Sequence, residues 1–260
     1  MIDIEHLTNK YFIKYEPCPY KLKCGVEILI YPILVRDCIE YDICKTVLLI
    51  DKRNFADENI LKMSQLEFLN NLFGTEGIGE NELQKFKHIF SLCLKEDYVA
   101  ITKDENGKFV VIVADKNGED ITLKYIISNK EFMDISKIIL FQNDASYSDE
   151  YINPDVLKEY NQMIELKSKG LANPTLERRK IFVLSRYGCK IQELEEMPYR
   201  LFELLYSEYI NIEQYFIDNM YKTAYKYEIK ENLVYPLFKK EDKFKDLFLS
   251  TNSLNNKLGN

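Results

Sequence analysis

The side chains from which a catalytic site could be built in this chain of 260 residues are two histidines, six cysteines and several acidic runs. A hydrolytic triad needs a base held beside a nucleophile. His6 lies close to the N-terminus, His88 lies between apolar positions of a helical pattern, and no serine stands in a G-x-S-x-G motif. The sequence therefore predicts no triad, and we interpret His88 as a structural histidine.

The cysteines repeat one spacing twice. Five residues separate Cys18 from Cys24, and five separate Cys38 from Cys44. Structural zinc sites usually place paired ligands two to four residues apart in tight turns, whereas Cys38 and Cys44 fall within a helical pattern. We therefore expect small buried apolar cysteines and no metal site, and whether the two pairs bind metal is left open.

Two further segments resemble ligand loops only in part. After the glycines of GTEGIGE (74–80) a phosphate-binding loop would need Lys and Ser or Thr, but Glu80 and Asn81 follow. The acidic stretch DASYSDE (144–150) lacks the ligand spacing of a calcium loop, and other acidic runs are typical of a solvated face. The sequence predicts no catalytic residue, no cofactor and no metal ligand.

The segment SRYGCKIQELEEMPYRLFELLY (185–206) has the outline of a helix-turn-helix. The helix after its glycine carries four glutamates against one lysine and one arginine, and this charge would weaken binding to a phosphate backbone. The whole chain has a formal net charge of -7, which also disfavours nucleic acid and anionic membranes. The apolar residues of the segment 185–206 recur every three or four positions, which favours packing against protein.

The clearest element pattern lies at 97–128. Three β-rich runs, DYVAITK, KFVVIVAD and ITLKYIIS, are separated by Asn106-Gly107 and Asn117-Gly118, dipeptides that favour type I′ hairpin turns. We therefore predict a three-stranded antiparallel meander. Predicted helices over 81–95 and 130–142 are expected to cover its apolar face.

The rest of the N-terminal part mixes strand and helix patterns. Residues 19–35 read as extended. From there, apolar residues recur every four positions at Val35, Ile39, Ile43 and Val47, which predicts a helix with one inward stripe.

After the aperiodic stretch 143–155 every pattern is helical. The predicted helices cover 154–169, 174–187, 190–207 and 211–228, and an amphipathic tail follows them. The fold class expected is α+β, with an α+β domain at 1–150 and an all-α helical bundle at 151–260.

Aromatic residues are the most unusual part of the composition. The chain has 19 Tyr and 15 Phe but no Trp. Two explanations are open. One is the codon usage of an AT-rich genome, and the other is a role in protein interfaces, because tyrosine is enriched in contact patches. Part of the set must be core. The candidates for a partner interface all lie in the C-terminal half: Tyr199, Phe202, Tyr206, Tyr209, Tyr215 and Tyr221.

Two phrases of the sequence carry a family resemblance. The first is IYPILVRDCIEYDICKTVLLIDKRNFADENILKMSQLEFL, and the second is ERRKIFVLSRYGCKIQELEEMPYRLFELLY. Both resemble proteins from tail gene clusters of contractile tailed bacteriophages. Together they cover well under half of the chain and are patterns of apolar spacing. The resemblance implies a tail or baseplate component, or a chaperone for the tape measure, and it brings no catalytic residues.

These observations lead to one expectation and two alternatives. We expect a non-enzymatic structural protein of a phage tail or tail-like particle, part of a symmetric assembly with other tail or baseplate proteins. It would reside in the host cytoplasm during assembly and then in the particle, since no signal peptide or membrane-spanning run is evident. The alternatives are a tail-assembly chaperone absent from the mature particle, and a cytoplasmic enzyme or ligand-binding protein with a pocket beside the meander.

Overall fold

The computed structural model describes residues 2–55, 57–77, 79–117, 120–150, 154–167 and 174–223, which divide between two compact units. The first unit comprises Met1–Asp149 and Cys189–Leu204, and the second comprises Glu150–Gly188 and Leu205–Asn260. The predicted α+β class is confirmed, with an antiparallel three-stranded sheet, helices around it and a helical C-terminal region.

The helices and strands have the following bounds. The helices are α1 (Ile4–Leu7), α2 (Cys38–Cys44), α3 (Glu58–Lys62), α4 (Gln65–Phe73), α5 (Gly79–Leu94), α6 (Asn129–Asn143), α7 (Pro154–Lys167), α8 (Leu176–Tyr187), α9 (Ile191–Glu195) and α10 (Tyr199–Thr223). The strands are β1 (Cys18–Lys21), β2 (Glu27–Ile30), β3 (Tyr98–Lys103), β4 (Phe109–Asn117) and β5 (Asp120–Ser128). Strands β1 and β2 form a separate antiparallel hairpin.

Strands β3, β4 and β5 form the predicted meander in that order. The β3–β4 turn is not the expected type I′ turn, because only Gly107 of the Asn106-Gly107 pair has a positive φ (73°). Asp104 and Lys108 still pair through the backbone, so the loop has three residues with a left-handed glycine at its end. Of the Asn117-Gly118 turn, Gly118 lies outside the described residues.

Helix α6 ties the N-terminal hairpin to the core through buried polar side chains. Its capping box joins Ser128 and Glu131, and the same Glu131 carboxylate accepts from the backbone N–H of Lys23 at 2.7 Å. At its other end the amide of Gln142 donates to the carbonyl of Ile30 at 3.2 Å. Because a buried unpaired backbone group is costly, these side chains fix where the hairpin lies.

Helix α2 presents a different face to the core from the one that the sequence predicts. Val35 and Val47 are buried, but Ile39 and Ile43 are 58% and 53% exposed. A 3₁₀ turn precedes α2 at Val35–Asp37 and another follows it at Lys45–Val47. Since a 3₁₀ helix has three residues per turn, the four-residue period does not hold across these junctions. The buried residues of the helix are Cys38, Tyr41 and Cys44.

The junction of α4 and α5 is a close approach of backbone to backbone. A Cβ atom at Gly79 would lie 2.1 Å from the carbonyl oxygen of Phe73, so only glycine fits there. At Gly74, one residue past α4, a Cβ atom would meet the carbonyl oxygen of Asn71 at an ordinary 3.5 Å.

A return segment of the chain, 189–204, completes the first unit. The backbone N–H of Val35 donates to the carbonyl of Met197 at 2.9 Å, and that of Tyr199 donates to the carbonyl of Ile33 at 2.7 Å. The helices predicted at 190–207 and 211–228 are placed differently, because the break falls just before Tyr199, after the short α9. Pro198, which lacks an N–H, sits at that break.

The second unit is helical where it is described. Helix α8 ends at Gly188, whose φ of 73° gives the left-handed C-cap that glycine favours. The ring of Phe182 in α8 makes edge contacts with Tyr206 and Tyr209 of α10, at centroid distances of 5.8 and 6.3 Å. Arg186 pairs with Glu213 one turn further along. The predicted amphipathic tail lies outside the described residues.

Candidate interaction surface

The two faces of the meander differ in what covers them. The inner face carries Val99, Val111, Val113 and Ile127, all buried, and α5 and α6 lie against the strands. The pairing across the strands places Ala100, Ile112 and Ile126 on the outer face, together with Tyr98, Ala114 and Leu123. Val110 lies on the same face, and both Val110 and Ala114 are buried. An antiparallel sheet commonly packs one face and exposes the other, but an exposed face is then usually polar.

A β-bulge at Lys124 adds two aliphatic residues to this outer face. Tyr125 pairs with Val113, yet Leu123 pairs with the next residue of β4, Ala114, so Lys124 is the extra residue. Strict alternation from Tyr125 would have placed Leu123 and Ile121 on the inner face. The bulge moves both of them to the outer face.

Glu96, in the loop between α5 and β3, holds this bulge in place. Its buried carboxylate accepts hydrogen bonds from Lys124 Nζ at 2.8 and 3.0 Å and from the hydroxyl of Tyr125 at 3.0 Å. Successive side chains of a regular strand point to opposite faces and would not share one carboxylate. Burial, and then the Glu96 charge and hydrogen bond, raise the pKa of Tyr125 above its ordinary range.

The outer face leaves three aliphatic residues half in solvent. Ile121 and Leu123 are each 54% exposed and Ile126 is 41% exposed. They lie beside one another on β5, which is an edge of the sheet in the described part of the chain. Exposed apolar residues scattered singly are ordinary, whereas apolar residues side by side on one sheet face make that face a candidate interaction surface. We call Tyr98, Ala100, Ile112, Ile121, Leu123 and Ile126 the outer patch.

Two of the six aromatic residues proposed from the sequence are core residues. Tyr199 and Phe202 are buried in the first unit, so neither offers surface to a partner in this structure. The hydroxyl of Tyr199 donates to Asp42 at 2.9 Å, and its ring makes an edge contact with Tyr41 at 6.2 Å. The reason is the return segment, which carries these two residues into the first unit.

The other four lie in the second unit on α10. Tyr206 and Tyr209 are partly buried against Phe182, Tyr215 is half-buried, and Tyr221 is exposed. Whether any of them meets a partner stays a prediction.

A polar cluster borders the return segment and was not predicted. Lys45 Nζ lies 2.7 Å from the Asp42 carboxylate and 3.4 Å from that of Asp144. Burial alone would raise the pKa of Asp144, but hydrogen bonds from Ser146 and the charge of Lys45 outweigh it and lower that pKa. The two carboxylates share one ammonium, and the Asp42 carboxylate also accepts from the hydroxyl of Tyr199. This ion-pair network fastens α2 to the return segment.

The residues with catalytic or ligand potential are dispersed. His88 lies at the surface with Nε2 2.9 Å from the Glu40 carboxylate. All six cysteines are free thiols, and Cys38, Cys44 and Cys18 are buried while Cys24 is exposed. Within residues 2–55, 57–77, 79–117, 120–150, 154–167 and 174–223, no three His, Cys, Asp or Glu side chains form a group that could hold a metal ion.

None of the helices described here is both long and apolar enough to cross a membrane. Comparisons with protein-family models, with curated proteins and with solved structures find no match to this chain.

Proposed function

We propose that the chain is a non-enzymatic structural component of a phage tail or tail-like particle, acting through protein–protein contacts, with the outer patch as a contact surface. The observation that carries the contact role is the bulge, which places Ile121 and Leu123, each 54% exposed, on the same face as Ile112 and Ile126. Fully burying an aliphatic side chain contributes about 1.5–3 kcal/mol, so covering these two half-exposed side chains would contribute roughly half of that for each, which favours a covering partner.

The identity of the particle rests on the two phrases of apolar spacing that resemble tail-cluster proteins. The acidic charge of the chain agrees with protein partners better than with nucleic acid. A tail-assembly chaperone would use the same exposed surface transiently, and the two roles differ in whether the chain remains in the finished particle.

Mass spectrometry of purified particles from the strain that encodes the chain separates these roles. Nuclease treatment and gradient washing precede the measurement, and we expect peptides of this chain at a fixed ratio to the other tail proteins. Absence from particles together with co-purification of a long tape-measure chain from lysate would identify a chaperone. Absence from both would refute the phage proposal.

The contact role has its own test in single substitutions on β5. We expect Leu123→Lys to reduce incorporation into particles, because a buried ammonium is costly at an apolar contact. Thr122→Lys is the matched control, since Thr122 is exposed on the same strand but on the opposite face. Equal incorporation of both variants would show that the outer patch is not the contact surface.

A further inference from the structure

We infer that the β3–β4 loop contains a site of spontaneous covalent modification, at which the backbone nitrogen of Gly107 attacks the side-chain amide of Asn106, and that Asp104 restrains this reaction in the folded chain. The only other reactant is water. The inference is independent of the proposed function, because it concerns chemistry within one loop and requires no partner. It rests on the exposure of the pair, the glycine conformation and the hydrogen bonds that hold the loop.

The reaction joins two groups of neighbouring residues. The Gly107 nitrogen forms a bond to Cγ of Asn106, the bond from Cγ to Nδ2 breaks, and Nδ2 leaves as ammonia with the proton of the Gly107 N–H. Water then opens the cyclic imide, either at Cγ to give aspartate or at the backbone carbonyl carbon to give isoaspartate. Asparagine is one of the thermolabile residues of proteins, and attack within one chain benefits from proximity.

Glycine at position 107 leaves the attacking nitrogen open to approach. Asn106 and Gly107 are both exposed, and no atom of the described residues lies within 4 Å of the place where a Cβ atom of Gly107 would be. Gly107 has a φ of 73°, and a residue without Cβ changes between positive and negative φ at little cost. Local motion of this loop is therefore sufficient to bring the nitrogen and the side-chain amide together.

The tripeptide Asp-Glu-Asn occurs a second time, at 57–59, and this copy shows what the glycine adds. In both copies the aspartate carboxylate accepts from the backbone N–H of the asparagine, at 2.8 Å for Asn59 and 2.9 Å for Asn106. Both asparagines are exposed. Asn59, however, precedes Ile60 within α3, and the stiff β-branched side chain of Ile60 crowds its own nitrogen. We therefore expect Asn106 to react faster than Asn59.

Asp104 holds the loop in a conformation that opposes the attack. Its carboxylate accepts from the backbone N–H of Asn106 at 2.9 Å and from that of Lys108 at 2.8 Å. Its carbonyl accepts from the N–H of Gly107 at 2.9 Å, so the attacking nitrogen is itself hydrogen-bonded. Aspartate stabilises turns through such local bonds. Because these bonds must break before the nitrogen can reach Cγ, local opening of the loop controls the rate of modification.

Peptide mapping of the full-length chain after incubation in mildly alkaline buffer tests this inference. Trypsin releases Asn106 in DENGK (104–108) and Asn59 in NFADENILK (54–62), and synthetic standards separate aspartate from isoaspartate products. We expect the Asn106 amide to be lost several-fold faster than that of Asn59, with isoaspartate among the products. Asp104→Ala should accelerate the loss at Asn106 several-fold. The control Glu105→Ala removes an exposed carboxylate from the same loop and should leave the rate unchanged.

Equal losses at Asn106 and Asn59 would overturn the inference, and so would aspartate without isoaspartate, which indicates direct hydrolysis of the side chain. A rate in Asp104→Ala that equals the rate in the parent chain or in Glu105→Ala would refute the restraint. If Asp104→Ala does not fold, as judged by circular dichroism, the parent chain in urea replaces it. Loss at Asn106 should then be several-fold faster in urea than in native buffer, and equal rates would refute the restraint.

Discussion

The carboxylate of Glu96 makes the sharpest stability prediction, because one buried group accepts from two successive residues of the bulge. Glu96→Gln keeps the shape and removes the charge. A hydrogen bond to a charged group contributes about 1.5–3 kcal/mol and a neutral one about 0.5–1.5 kcal/mol. Each of the two donors, Lys124 at 2.8 Å and Tyr125 at 3.0 Å, would lose about 1 kcal/mol or slightly more. Because the Lys124 side chain is about a third exposed and solvent screens its share, we expect a total loss of about 1–2 kcal/mol in unfolding free energy.

Hydrogen exchange of the β5 amides is the assay for this loss, since it reports local opening even when the two units unfold separately. We expect faster exchange around Lys124 in Glu96→Gln and a thermal midpoint lowered by about 2–8 °C. The control is Asp115→Asn. Asp115 also faces Lys124, but at 3.5 Å and in solvent, so its loss should cost less than about 0.5 kcal/mol. Equal exchange rates in the two variants would refute the role given to Glu96.

Three further predictions concern the supports of the first unit. The lowered pKa of Asp144 gives stability that is present above its unfolded pKa of about 3.9 and is lost as pH falls through the folded pKa. Asp144→Asn should therefore reduce the dependence of the urea midpoint on pH between about pH 5 and pH 2. The same pH dependence in the variant and the parent protein would contradict this. Glu131→Ala should cost about 2–3 kcal/mol by urea unfolding, because it removes a cap and a long-range tie, against about 1 kcal/mol for the cap-only control Glu67→Ala. Gly79→Ala should lower the unfolding free energy by about 2 kcal/mol or more, and with it the thermal midpoint, because the new Cβ meets backbone atoms. The control Gly74→Ala should be close to neutral. Similar thermal midpoints for the two variants would refute the close approach.

The meander could be predicted because its determinants are local. Alternating β-branched residues and Asn-Gly dipeptides act within a few positions of each other, and the strands lie where these patterns place them. The turn type at Asn106 could not be predicted, because Asp104 accepts hydrogen bonds from the backbone of Asn106 and Lys108 and stabilises a longer loop.

The outer patch could not be predicted, because it depends on a register shift in β5 that is set by tertiary contacts. A signal was present in ITLKYII (121–127), where the apolar alternation changes phase between Leu123 and Ile126. Nothing local shows that Glu96 lies beside this change of phase. The burial of Tyr199 and Phe202 could not be predicted for a related reason. The backbone of Tyr199 pairs with Ile33, more than 160 residues earlier in the sequence, and no local pattern shows this contact.

The return segment has a consequence for synthesis. The first unit is discontinuous, since Glu150–Gly188 is inserted between Asp149 and Cys189, which belong to the same unit. A ribosome adds about 5–20 residues per second, so Leu204 emerges several seconds after Asp149. During that interval the nascent chain holds Val35 and Tyr41 without the segment that packs against them, so this part of the core of the first unit stays open to solvent. The inserted residues set the length of that delay.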